Sequence, residues 1–242
     1  MKLDILAFGV HPDDVELGCS GTVMSAIAEG KKVGIMDLTQ GELGTRGTVE
    51  TRYEEAAAAA KIMGVEIRDN LKMSDGFFRN DKKHIRQVIH AIRKYQPEII
   101  LCNAPEDRHP DHGRSSRLVE EASFLSGLRK IETKEEGKMQ LPWRPAYVFH
   151  YMQDRYLQPS FVIDITAHFD RKMEAILAYK TQFYSTNSDE PQTYISTPQF
   201  LESVKARALM LGKRIGVKYA EGFVTEKVLG VSSLDAFIQN VT

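Results

Sequence analysis

The chain has 242 residues, of which 42% are hydrophobic and 27% charged, a composition that excludes a disordered, collagen-like or disulfide-scaffold protein. Lys and Arg number 32 against 33 Asp and Glu, a formal net charge of -1, so no charge excess draws nucleic acid or anionic lipid to it. The length allows one large domain or two small ones and is enough to bury about 70 to 75% of the unfolded surface.

In chain order, short apolar runs alternate with stretches of helical period, the pattern of βαβ units around a parallel sheet. The first strand is expected over Leu3 to Val10, followed by a helix from Asp13 to Glu29 that stops at Gly30. Lys32 to Leu38 reads as a second strand. Glu50 to Met63, with its alanine run, reads as a helix ending at Gly64, and Val65 to Leu71 as a short strand. Asp81 to Tyr95 forms a helix closed by Pro97. Glu98 to Asn103 is the most apolar run and is read as a buried central strand, with a helix over Asp111 to Leu128 after it. The charged segment from Arg129 to Pro145, with Gly137 and two prolines, reads as an exposed excursion. Strands at Ala146 to Tyr151 and Phe161 to Thr166 follow, then helices at His168 to Tyr179 and Pro198 to Ile215. The polar loop between those helices, Ser185 to Thr197, is a candidate lid. With no repeat, low-complexity tract or long linker, residues 1–242 are expected to form one α/β domain.

Cys19 and Cys102 sit far apart among apolar or small residues and read as buried reduced thiols. The first ten residues are too short and too charged for a signal-peptide core, and no apolar run reaches membrane-spanning length, so a cytoplasmic protein is expected.

Two segments carry chemistry, His11-Pro12-Asp13-Asp14 after the first strand and His109-Pro110-Asp111-His112 after the central strand. In an open parallel sheet, ligands bind at the carboxyl ends of strands, so both turns can face one crevice. A spacing of three across a helix start brings His11 towards Asp14, and His109 towards His112. Imidazole and carboxylate donors suit a borderline divalent ion, and three protein ligands with an open position are the catalytic arrangement of zinc. Such an ion brings the pKa of a bound water to about 7, and a neighbouring carboxylate, available in the Asp13-Asp14 pair, then serves as base. Either motif alone reads equally as a helix cap, but two of them after two apolar strands point to a metal site. Two histidines and a carboxylate also suit ferrous iron, so the pattern leaves Zn2+ and Fe2+ open. His84, His90, His150 and His168 lack a partner pattern, although His150, at a strand end, is placed to line a pocket. The glycine-rich phosphate loop of nucleotide-binding enzymes and the Gly-x-Ser-x-Gly elbow are absent, and Gly18 and Gly21 read as close-packing positions in the first helix.

On four segments the chain resembles the PIG-L or LmbE-type family of zinc-dependent N-deacetylases, most closely its bacillithiol-biosynthesis branch. They are His11 to Asp14, Gly41-Glu42-Leu43-Gly44-Thr45-Arg46-Gly47 with Arg52 after it, Glu106 to His112, and Tyr219-Ala220-Glu221-Gly222-Phe223. The resemblance implies an LmbE-like α/β fold, a Rossmann-like, mostly parallel sheet with helices on both faces. It implies His11, Asp14 and His112 as zinc ligands and Asp13 as general base. His109 corresponds to a histidine off the metal that stabilises the oxyanion or protonates the leaving amine, with Asp111 orienting it, and Tyr194 to a mobile tyrosine near the oxyanion. The implied substrate is a small N-acetyl sugar, N-acetylglucosamine joined to malate, whose carboxylates Arg52 and Arg108 are placed to bind, with Arg46 equally suited to a surface ion pair. Family members often form homo-oligomers, including hexamers. Deacetylation of another N-acetyl sugar such as diacetylchitobiose, and metal or sugar binding without turnover, are the competing readings.

Overall fold

Residues 1–183 and 189–237 are described in the computed structural model of the chain. Seven strands form one sheet: β1 (Ile5–Gly9), β2 (Val33–Thr39), β3 (Ile67–Met73), β4 (Ile99–Asn103), then, past a two-stranded hairpin of β5 (Lys134–Glu135) and β6 (Lys138–Met139), β7 (Tyr147–Tyr151), β8 (Phe161–Asp164) and β9 (Ala220–Val224). The order across the sheet is β3-β2-β1-β4-β7-β9-β8. The first five strands in that order are parallel, and β9 runs antiparallel to both β7 and β8. The helices are α1 (Asp14–Ala28), α2 (Val49–Met63), α3 (Lys82–Tyr95), α4 (Pro110–Leu125), α5 (Phe169–Leu177) and α6 (Pro198–Lys213).

Alternate residues of β1 divide between two cores, because successive side chains of a strand point to opposite faces. Ile5 and Ala7 pack with α1, α2 and α5 on one side, while Leu6 and Phe8 pack with α3 and α4 on the other. A strand covered on both faces must be apolar throughout, and all five residues of β1 are buried. The helices start and stop where local chemistry directs: Thr48 caps α2 through the Thr51 N–H, Asp81 caps α3, and Gly64 closes α2 at φ +79°.

The expected strands and helices of the first 128 residues are all present, with ends within a few residues of those read from the sequence. Cys19 and Cys102 are buried and free. Three features differ. The excursion from 129 to 145 contains the small hairpin, the strand expected to reach Thr166 stops at Asp164, whose carboxylate accepts from the Thr166 N–H and starts a 3-10 turn, and β9 was not expected as a strand. Its core, Ala-Glu-Gly, is poor strand material by propensity. Tertiary contact overrides that, since a Cβ on Gly222 would come within 2.8 Å of Met152 Sδ. Among the described residues, no helix is long and apolar enough to cross a membrane.

Candidate metal centre

The order β3-β2-β1-β4 reverses direction between β1 and β4, whose carboxyl ends open a crevice there. The turn after β1 and the turn before α4 both enter it, so both sequence motifs meet in one cleft of about 320 Å3. The ring centroids of His11, His109 and His112 lie 4.8, 5.3 and 5.9 Å apart, and one donor nitrogen of each falls within 4.8 Å of the other two. Asp14 joins this cluster, with Oδ1 at 3.2 Å from His112 Nε2 and Oδ2 at 3.6 Å from His11 Nδ1.

The far nitrogen of each of these two rings is held by a second buried carboxylate. His11 Nε2 lies 2.9 Å from Asp75 Oδ1, and His112 Nδ1 lies 2.7 Å from Asp107 Oδ2. A carboxylate behind an imidazole fixes its tautomer and leaves the opposite nitrogen as a lone-pair donor, the usual support for a metal-bound histidine. Asp14 itself is pinned: Oδ2 accepts from Val10 N, His11 N and Asn103 Nδ2 at 2.9 to 3.0 Å, and Oδ1 accepts from Gln153 Nε2 at 2.8 Å. Two imidazoles and a carboxylate, each oriented from behind, fit a borderline divalent cation such as Zn2+ or Fe2+.

Electrostatics follow from this crowding. Burial disfavours charge on Asp14, but His112 and His11 outweigh it and hold its carboxyl well below the usual range. Burial likewise opposes protonation of His11 and His112, yet hydrogen bonds and attraction from Asp14, Asp75 and Asp107 raise them to about 10 and about 9. Asp13 moves the other way. Burial, with the repulsion of Asp14, outweighs the Arg52 charge and lifts it to about 7. His109 is lowered, by burial and by the two neighbouring histidines.

Asp13 stands at φ 147° and ψ -18° with no side-chain capping bond, so the expected alternative of a simple helix cap does not describe it. A non-glycine residue in that region is strained, and such strain gathers at functional sites. Arg52 approaches it through Nη1, at 3.3 Å from Asp13 Oδ2 and 3.1 Å from the Pro12 carbonyl. Arg52 is therefore buried and lines the cleft beside the base candidate. Arg108 is at the mouth, with Nε 3.7 Å from Asp154 and its guanidinium 4.2 Å from the centre of the Tyr194 ring. Tyr194 is 56% exposed, and its hydroxyl donates to Asp154 Oδ1 at 3.5 Å. Of the loop read as a lid, residues 185–188 lie outside the described residues, while Thr193 to Ile195 line the cleft.

Asp111, expected to orient His109, meets it through the backbone: its N–H donates to His109 Nδ1 at 3.3 Å, while its carboxylate accepts from Gly76 N at 2.8 Å and pairs with Arg114. His150 packs between β7 and α4, with Nδ1 near the Asn103 carbonyl and Ser116 Oγ, and does not line the cleft. Sequence reasoning missed Asp75, Asn103, Gln153 and the role of Asp107. One signal was available, since Asn103 ends an apolar strand and Asp75 follows β3, both at the carboxyl edge of the sheet.

The family model PIG-L, GlcNAc-PI de-N-acetylase, matches residues 6–123. A diacetylchitobiose deacetylase of Thermococcus kodakarensis is 28% identical over 229 residues, 90% of this chain and 81% of that protein. A 4-oxalmesaconate hydratase of Pseudomonas putida is 29% identical over 140 residues, and the chain spans about half of its length, 53%. Among solved structures, the conserved protein TT1542 from Thermus thermophilus superposes with a TM-score of 0.84 at 38% identity, covering 95% of this chain and 98% of that one.

Proposed function

We propose that the chain, whose residues 6–123 match the PIG-L model, is a zinc-dependent enzyme that hydrolyses the N-acetyl group of N-acetylglucosaminyl substrates, with N-acetylglucosaminyl-malate as its own. The observation that carries this reading is the pair of imidazoles facing Asp14, each braced from behind by a buried carboxylate. His11, Asp14 and His112 would hold the metal. When bound, it supplies a Lewis acid for the acetamide carbonyl and acidifies a water at neutral pH.

The remaining residues act on the proton and the developing charge. Asp13, with its pKa raised to about 7, is matched to taking a proton from the attacking water and returning it to the leaving amine. Arg52 fixes the Asp13 carboxylate and the turn that bears it. His109 has its Nδ1 occupied by the Asp111 N–H, so the neutral ring carries its proton on Nε2 and offers a donor. A donor of this kind, aimed at the tetrahedral oxyanion, is worth about 3 to 4 kcal/mol. Arg108 at the mouth is suited to a malate carboxylate, and Arg52 has the rest of its planar fork for the sugar conjugate. Tyr194 stands on the rim, and a catalytic part for it requires an inward swing.

The test is acetate release from N-acetylglucosaminyl-malate, free N-acetylglucosamine and diacetylchitobiose, with zinc and with a chelator. Chelator-sensitive release from the malate conjugate in preference to the others is the expected result. Release from diacetylchitobiose alone would keep the chemistry and move the substrate to that of the Thermococcus relative. No release from any of the three would overturn the deacetylase reading.

A further inference from the structure

The segment Tyr219 to Phe223, singled out in the sequence, contributes nothing to the cleft described above, and its Glu221 is buried at 4% exposure. Its partner is Lys172 of α5, 2% exposed, with Nζ 2.7 Å from Glu221 Oε1. Both residues lie beyond the stretch 6–123 matched by the family model. What they touch is a break in α1.

Helix α1 is interrupted at Cys19, whose φ of -149° and ψ of 18° are not helical. A break leaves carbonyls at the end of the first half and N–H groups at the start of the second without helical partners. Lys172 Nζ donates to the Glu16 and Leu17 carbonyls at 3.0 and 2.9 Å. Glu221 accepts from Gly21 N at 3.0 Å, Thr22 N at 2.7 Å and Thr22 Oγ1 at 2.7 Å. All three ammonium protons are used, each charge sits at the helix end whose partial charge it complements, and the pair neutralises itself. Beside the break α1 lies tight against β7, where a Cβ at Gly18 would lie 2.1 Å from the buried Tyr151 ring.

The short half, Asp14 to Gly18, is the piece that carries the Asp14 carboxylate and puts Leu17 against the cleft. We propose that the Lys172–Glu221 pair is a positioning unit that locks the break in α1 and thereby aims Asp13 and Asp14 at the metal site. The C-terminal third of the chain thus sets the geometry of a site made by its N-terminal half. This rests on the reading of Asp14 as a metal ligand.

The test uses Glu221→Gln and the doubly neutral Lys172→Met with Glu221→Gln, read by zinc competition against a chromophoric chelator, by amide exchange of residues 14–18, and by kcat and KM for acetate release. Zinc affinity should fall about 10-fold or more, as for other residues that orient ligands from behind. A displaced catalytic group should lower kcat by up to about 100-fold with KM little changed, and exchange at 14–18 should quicken. Folded variants that match the wild type within twofold in affinity and kcat, with unchanged exchange at 14–18, would overturn the proposal whatever their melting temperature. If neither variant folds, Thr22→Val and Thr22→Ser decide: weaker zinc binding in Val restored by Ser supports it, and no difference between them overturns it. Failure of the wild type to release acetate would sink the deacetylase reading, while the exchange measurement would still judge the positioning unit by itself.

Discussion

Asp107→Asn is a perturbation whose effect can be worked from the hydrogen bonds alone. Asp107 Oδ2 faces His112 Nδ1 at 2.7 Å, while Oδ1 accepts from Arg108 N at 2.8 Å and Arg155 N at 2.9 Å. Asparagine keeps the acceptor for both backbone groups but presents an N–H to His112. Nδ1 must then accept, so the ring loses the acceptor for the Nδ1 proton that a metal-bound tautomer carries and keeps its remaining proton on Nε2, the nitrogen that faces Asp14 at 3.2 Å. A cation has to displace that proton. The expected loss of zinc affinity is about 10- to 100-fold, or about 1.4 to 2.7 kcal/mol at about 1.4 kcal/mol per tenfold. Asp107→Ala provides the contrast, because it leaves the tautomer unconstrained but removes the acceptor of two backbone N–H groups, at about 1 kcal/mol each in stability. Chelator competition and urea unfolding of the metal-free proteins should therefore rank the variants oppositely, Asn the weaker binder and Ala the less stable. Wild-type affinity in the Asn variant, or weaker binding in the Ala variant than in the Asn variant, would refute the tautomer argument.

Asp13→Asn should retain the fold and zinc yet lower the rate of acetate release by about 10^2- to 10^4-fold, and normal turnover would remove Asp13 from the role of base. The metal-free protein should lose stability as pH rises from about 4 to 10, measured as a falling urea midpoint. Asp13, His112 and His11 have folded pKa values raised to about 7, 9 and 10, so each contribution is complete below the ordinary value and disappears as pH climbs through the raised one. Asp14, Asp75 and Asp107 are lowered, so their contributions disappear only as pH falls below the ordinary carboxylate range, and a midpoint that climbed between pH 7 and 10 would contradict the scheme. Gly18→Ala should cost about 1 to 3 kcal/mol by overpacking, since the added carbon meets Tyr151, whose hydroxyl is tied to the Phe8 carbonyl. Denaturant unfolding measures it, and an unchanged midpoint would mean that the helix can retreat from β7.

The legible parts of this chain are those where local pattern and tertiary environment agree. β1 and β4 read as buried strands because the runs Ile5–Gly9 and Ile99–Cys102 are apolar, and α3 read as a helix, with Ile85, Val88, Ile89 and Ile92 recurring at helical spacing and all buried. The two His-containing motifs were legible as one site because β1 and β4 are neighbours and both turns leave their carboxyl ends. Asp75 could not be assigned that way. It follows β3, two strands away from β1, and reaches His11 only through the path of the loop after that strand. Arg52 was read as a substrate arginine, and that its Nη1 also holds the Pro12 carbonyl and approaches Asp13 depends on how α2 lies against the turn at Pro12, which spacing does not reveal. β9 escaped for a third reason: its glutamate and glycine are there to satisfy α1 and Met152, so the residues that make it essential also disguise it as a strand.

The turn from Val10 to Asp14 concentrates what the fold has to restrain. Asp13 at positive φ carries about 1 to 3 kcal/mol of backbone strain, and its carboxylate shares a buried site with that of Asp14, which burial and repulsion both oppose. Left alone, the segment would relax by rotating Asp13 back to ordinary helix geometry. Several fixtures prevent that. The Val10 carbonyl is taken by Thr39 N and Oγ1, the Val10 and His11 N–H groups are taken by Asp14, and the Pro12 carbonyl is taken by Arg52. On the helical side, the Glu16 and Leu17 carbonyls are taken by Lys172. Each fixture comes from a different element: β2, the helix start itself, α2 and α5. Strain in the turn is thus held by contacts spread from Thr39 to Lys172, which is why a five-residue motif needs a long chain around it, and why a short match to the motif alone would say little about whether its carboxylates are aimed.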